Sequence, residues 1–108
     1  MAKVAAAVAV MDIVKRFLSR LDEEGIHVES AYLFGSYAKG AENKWSDIDV
    51  AIVSSEITGD GIEDIIRLVK IASKIDTRIE PVPFNPDGFV DEDPLVWEIK
   101  KEGMLIEI

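Results

Sequence analysis

Two apolar runs separated by a short polar gap constrain this chain more than any other feature. "AYLF" ends at Phe34 and meets Gly35-Ser36; after ten intervening residues, "DIDVAIV" opens with Asp47 and Asp49. Ile48, Val50, Ile52 and Val53 are β-branched, so the second run reads as a buried strand, and carboxylates at its start are costly there. Residues two apart on a strand project from one face, which sets Asp47 beside Asp49, roughly 7 Å apart at Cα. Like charges so placed repel, and a divalent cation with oxygen ligands removes the conflict. The upstream turn supplies the complement. Gly35 lets the backbone approach a phosphate, and Ser36 at a helix start offers amide and hydroxyl donors. Asp-x-Asp alone is more often a solvated strand start, and Gly-Ser alone is weaker still. Together, each abutting a buried strand, they point to phosphate chemistry.

The rest of the chain places these pieces. An amphipathic helix carries Ile13, Val14, Phe17, Leu18 and Leu21 and ends near Gly25. "IHVESAYLF" has strand character, and the small-residue turn at Gly35, Ser36 and Gly40 holds one helical turn through Tyr37 to Lys39. "SSEITGDG" is a loop. Ile62, Ile65, Ile66, Leu68, Val69, Ala72 and Ile75 recur at helical spacing, with Asp60 as the expected cap. "TRIEPVPF" is a third strand, which Pro81 and Pro83 place at an edge or near its end. "NPDG" is a turn, Asp93-Pro94 starts a short helix, and "MLIEI" ends the chain as a last strand. The expected fold is α/β (α+β), a single domain over residues 1–108 with a mixed sheet and the order αβ(α)βαβαβ. If Gly35-Ser36 and the aspartates share a site, the first two strands are antiparallel. A helical crossover makes the second and third parallel, bringing Glu80 level with Asp47 and Asp49. Two metal ions on three carboxylates could clamp an in-line phosphoryl displacement.

Composition narrows the function. The net charge of −9 over 108 residues argues against a nucleic-acid surface, although cations can bring nucleotides to an acidic protein. No cysteine is present, which excludes a thiolate zinc site, a disulfide and a Cys nucleophile. His27 is the only histidine, and it reads as structural or solvated rather than catalytic. Lys3 before the apolar stretch Val4–Met11 imitates a signal peptide, but Asp12, Lys15 and Arg16 interrupt it. No run approaches the ~20 apolar residues of a membrane span, and a cytoplasmic protein is expected. Neither a Walker-type loop nor a dinucleotide-binding fingerprint occurs. Lys39, Lys44, Arg67 and Arg78 read as surface charges, and Trp45 as packing beneath the turn.

"GSYAKGAENKWSDID", with its Gly-Ser, ten residues and Asp-x-Asp, resembles the signature of the DNA polymerase beta-like nucleotidyltransferase superfamily. The length of the chain and its tail "VWEIKKEGMLIEI" resemble the minimal nucleotidyltransferases, which consist of little beyond the catalytic core. The resemblance implies Asp47 and Asp49 as metal ligands, and Gly35 and Ser36 as contacts to the nucleotide triphosphate. It implies Glu80 as third carboxylate, a ligand for the catalytic metal and a candidate base. Glu80 is preferred to Asp76, which belongs to the helix end. Two Mg²⁺ or Mn²⁺ ions and ATP are expected, with AMP passing to an acceptor hydroxyl. Proteins of this kind resemble antitoxins paired with HEPN-domain toxins, which makes a hydroxyl of such a partner the expected acceptor. Two other readings stand beside it: transfer to a small hydroxylated molecule of the aminoglycoside kind at a homodimer interface, and a nucleotide-binding antitoxin acting by contact alone.

Overall fold

Val10, Val14, Phe17, Leu18 and Leu21 are all buried, and they form the face by which the first helix, α1 (Ala2–Glu23), enters the core. The structure, a computed structural model, describes residues 2–39, 47–57 and 61–108. Past α1, Gly25 takes φ +85° and Ile26 N–H returns to Leu21 O at 2.9 Å, a tight stop that needs a residue without Cβ. Four strands follow: β1 (Ser30–Phe34), β2 (Ile48–Val53), β3 (Ile79–Phe84) and β4 (Met104–Leu105). Between them lie a single turn, α2 (Ser36–Lys39), then α3 (Ile62–Ile75), a 3₁₀ turn over Pro86–Gly88, and α4 (Pro94–Glu102). No helix among the described residues is long and apolar enough to cross a membrane.

The sheet order is β3-β2-β1-β4, with β1 antiparallel to both β2 and β4 and β2 parallel to β3. That is the mixed sheet expected, and Pro81 and Pro83 lie on an edge strand, where a missing amide donor leaves no gap in a ladder. Alternation along the strands sorts the side chains. Ala31, Leu33, Ile48, Val50, Ile52 and Ile79 share one core with α1 and α3. Asp49 and Glu80 belong to the opposite face, which α4 covers in part through buried Val96 and Ile99. Phe89 packs there against Tyr32 and Phe84, with ring centroids 5.5 and 5.1 Å apart.

Element ends differ from the sequence reading where pairing decides them. β1 begins at Ser30 rather than Ile26, because its partner β2 stops at Val53, opposite Ser30. Ile26 and Val28 are buried nonetheless, so their apolar character serves the core and not a ladder. "MLIEI" contributes only Met104 and Leu105 as strand, paired with Leu33 and Tyr32. The N-cap position of α3 belongs to Gly61, with no side-chain cap bond; Asp60, the expected cap, lies outside the described residues. Asp93 caps α4 as expected, its Oδ1 accepting from Leu95 N–H at 2.9 Å.

Candidate active site

Three strand ends meet at one place. Phe34, the last residue of β1, stands opposite Asp49 of β2, and Asp49 stands opposite Glu80 of β3. Directly opposed residues on neighbouring strands project to the same face, so Asp49 and Glu80 share a site. Asp47 immediately precedes β2 and is exposed to solvent; Asp49 is half-buried and Glu80 exposed. Asp76, the competing carboxylate, is elsewhere: it is the C-cap residue of α3 and is tied to Arg78 by an ion pair of 2.9 Å.

Gly35 closes the site from the β1 side. It takes φ +73°, and a Cβ built there would collide with Asp49 Oδ2, with Asp49 Cγ next at 3.1 Å. Both the left-handed backbone and the space demand glycine, because the carboxylate already fills the volume a side chain would need. Ser36 follows as the first residue of α2, so the chain turns from strand to helix directly beside the carboxylates.

Electrostatics follow from this crowding. Burial pushes the Asp49 carboxyl up to about 6, helped by a hydrogen bond with Glu80 and by the charges of Glu80 and Asp47. A hydrogen bond between two carboxyl groups requires a proton between them. Among the described residues, no three or more His, Asp or Glu side chains form a ready metal cage. What the sheet provides is an adjacent pair with a third carboxylate two residues upstream. The donor set fits a hard divalent cation, which would take the place of that shared proton and spare the pair its repulsion.

A link that sequence reading missed supports the site from below. Arg78 donates from Nε and Nη2 to Asp76 at 3.1 and 2.9 Å, and from Nη1 to Tyr37 Oη at 3.4 Å. Its backbone carbonyl accepts from Ile48 N–H at 2.8 Å, at the start of β2. One side chain therefore joins α2, the end of α3 and the start of β3, and steadies the register that sets Glu80 against Asp49. The Asp-x-Arg spacing was the available signal, but nothing in it distinguishes a clamp from two surface charges. Arg67 is also committed, donating to Glu24 O at 2.9 Å, and His27 is exposed at the far end of the sheet. Gly40, Lys44 and Trp45 lie outside the described residues.

The chain matches the nucleotidyltransferase domain family over residues 11–103. No curated protein matches it. Its fold is similar to that of a candidate nucleotidyltransferase from Sulfolobus solfataricus, with a TM-score of 0.70 at 19% identity over 97% of this chain and 86% of that one. It is also similar to a chain of a toxin–antitoxin structure with AMP-PNP, with a TM-score of 0.63 at 21% identity over 90% of this chain and 72% of that one. At such identities these likenesses concern the fold, while the family match spans nearly the whole chain and contains both the Gly-Ser turn and the carboxylates. The chain belongs to the nucleotidyltransferase domain family.

Proposed function

We propose that residues 1–108 act as one minimal catalytic domain that moves AMP from ATP to a hydroxyl of a partner protein, as the cytoplasmic antitoxin of a HEPN-domain toxin. The observation that carries this reading is the crowded trio of Gly35, Asp49 and Glu80, with Asp47 beside them, where strand register and a glycine-only turn force carboxylates together. The toxin–antitoxin neighbour with a nucleotide analogue supports the partner and the nucleotide by likeness of fold. In the reaction, the acceptor oxygen forms a bond to the α-phosphorus as the α–β bridging bond breaks, and pyrophosphate leaves. Glu80, exposed at the site's open side, takes the acceptor proton. Asp47, Asp49 and Glu80 would hold two Mg²⁺ or Mn²⁺ ions, which neutralise phosphate charge and stabilise the leaving group. The amides of the Gly35-Ser36 turn receive the triphosphate, and Gly35 keeps that approach open by having no side chain.

The test is mass spectrometry of a co-expressed HEPN-domain partner. Wild type should add one adenylyl group to a hydroxyl side chain. Glu80→Gln should bind ATP with Mg²⁺ nearly as wild type yet leave the partner unlabelled, since base assistance alone is worth about 10²–10⁴-fold. A partner neutralised by wild type without any adduct would show that the chain acts by contact, and the transferase reading would fail.

A further inference from the structure

We propose that α3 is a self-association surface, through which two copies of this chain pair antiparallel about a two-fold axis beside Ile66. α3 buries Leu68, Ile71 and Ala72 against the sheet and α1, yet it leaves four further large apolar side chains in water. Ile62 is 73% exposed, Ile65 43%, Ile66 49% and Val69 45%. At about 100° per residue these four fall in one stripe along the helix, next to the buried face and away from the Arg67 side that meets α1. A contiguous row of this kind is unusual on a surface that stays wet.

Charge selects the occupant. The chain carries −9 overall, so two copies repel over most of their surfaces. α3 departs from that average: Arg67, Lys70 and Lys74 are basic, Glu63 and Asp64 acidic, and the two signs are segregated along the axis. The acids occupy the first turn, and the bases follow. On a helical wheel Glu63 and Lys70 border the same side of the stripe. In an antiparallel pair the same flank of each helix faces its own copy, so Glu63 of one chain meets Lys70 of the other, twice. A parallel pair would instead turn this flank toward the opposite flank of the partner helix, where Leu68 and Ala72 stand, so neither Glu63 nor Lys70 would meet an opposite charge. The antiparallel register centres the two-fold between positions 66 and 67, within the apolar stripe. Strand addition at the neighbouring edge is not an alternative route, since Pro81 and Pro83 remove amide donors from β3.

The absence of cysteine makes the geometry testable on the intact chain. Sedimentation equilibrium should show a reversible dimer. Ile66→Glu should raise its dissociation constant about 100-fold or more, with an unchanged circular-dichroism spectrum because Ile66 is already exposed. Glu63→Lys and Lys70→Glu should each weaken the dimer about tenfold, and the two combined should restore it. Ile66→Cys should form an intermolecular disulfide under mild oxidation. Ile62→Cys should not, because the antiparallel register separates the two copies of position 62 by about 13 Å along the axis. A chain monomeric at all accessible concentrations overturns the proposal, as does an Ile62→Cys disulfide as efficient as that of Ile66→Cys. It is equally overturned if wild type alone stays monomeric while Ile66→Glu abolishes capture of a co-expressed HEPN-domain protein, which would give the stripe to that partner.

Discussion

Among the described residues, Asp49 is under the greatest electrostatic load. Its carboxyl titrates near 6 instead of 3.8, chiefly through burial and then through Glu80 and Asp47. The native state therefore keeps this proton between pH 3.8 and 6 while the unfolded chain has lost it. The residue's contribution to stability is complete below 3.8 and is lost as the pH rises through 6. Taken in full the shift would be worth about 3 kcal/mol; with Asp49 partly open to water, about 1 kcal/mol is expected. Thermal unfolding in EDTA should find Asp49→Asn more stable than wild type at pH 7.5, with the gap closing towards pH 4. Magnesium should stabilise wild type and leave the Asn variant unmoved. Gly35 is coupled to the same group. Gly35→Ala meets both a left-handed backbone, which costs about 1–2 kcal/mol, and the Asp49 carboxylate. In an Asp49→Ala background only the first cost remains, so a double-mutant cycle in urea should return a coupling of about 1 kcal/mol. Additive effects would mean that the two residues do not crowd each other.

At the scale of elements, the site depends on the registers of β1 against β2 and of β2 against β3, and the second begins at the Asp76–Arg78 clamp. Arg78 holds the Asp76 carboxyl below its usual range, mainly by hydrogen bonds from its side chain. That contribution is present above 3.8 and lost as the pH falls through the lowered value, so Asp76→Asn should flatten the acid limb of the stability curve. Because Arg78 is exposed over 38% of its side chain, Arg78→Ala should cost only about 1 kcal/mol. Its larger effect should fall on turnover, since the strand that presents Glu80 loses its tie to α2. Nucleotide transfer falling in proportion to stability alone would show that the clamp has no part in positioning Glu80.

For the whole molecule, a chain at −9 with three carboxylates in its site should repel a free triphosphate. ATP alone in EDTA should leave the melting temperature unchanged. ATP with Mg²⁺ at 100-fold its dissociation constant should stabilise the native state by about 2.7 kcal/mol. Equal ATP affinity by calorimetry with and without the cation would contradict the roles given to Asp47 and Asp49.

Local pattern was enough for several of these conclusions. Helical spacing marks α1 and α3, β-branched runs mark the strands, prolines send β3 to an edge, and Asp93-Pro94 opens α4. The Gly-Ser and Asp-x-Asp pieces were legible for the same reason, because backbone freedom and strand alternation are properties of near neighbours. Glu80 was reached only by reasoning about topology. Its pairing with Asp49 depends on a crossover and a register, and register is set by what pairs across the sheet. The true start of β1, the shortness of β4 and the bonds from Arg78 to Tyr37 and Asp76 were not visible in the chain. Each depends on a partner remote in sequence, and an unpaired apolar residue such as Val28 looks the same in a strand as in a buried loop. Burial of Asp49 beside Gly35 and Glu80, and with it the raised carboxyl, arises only when three strand ends are brought together.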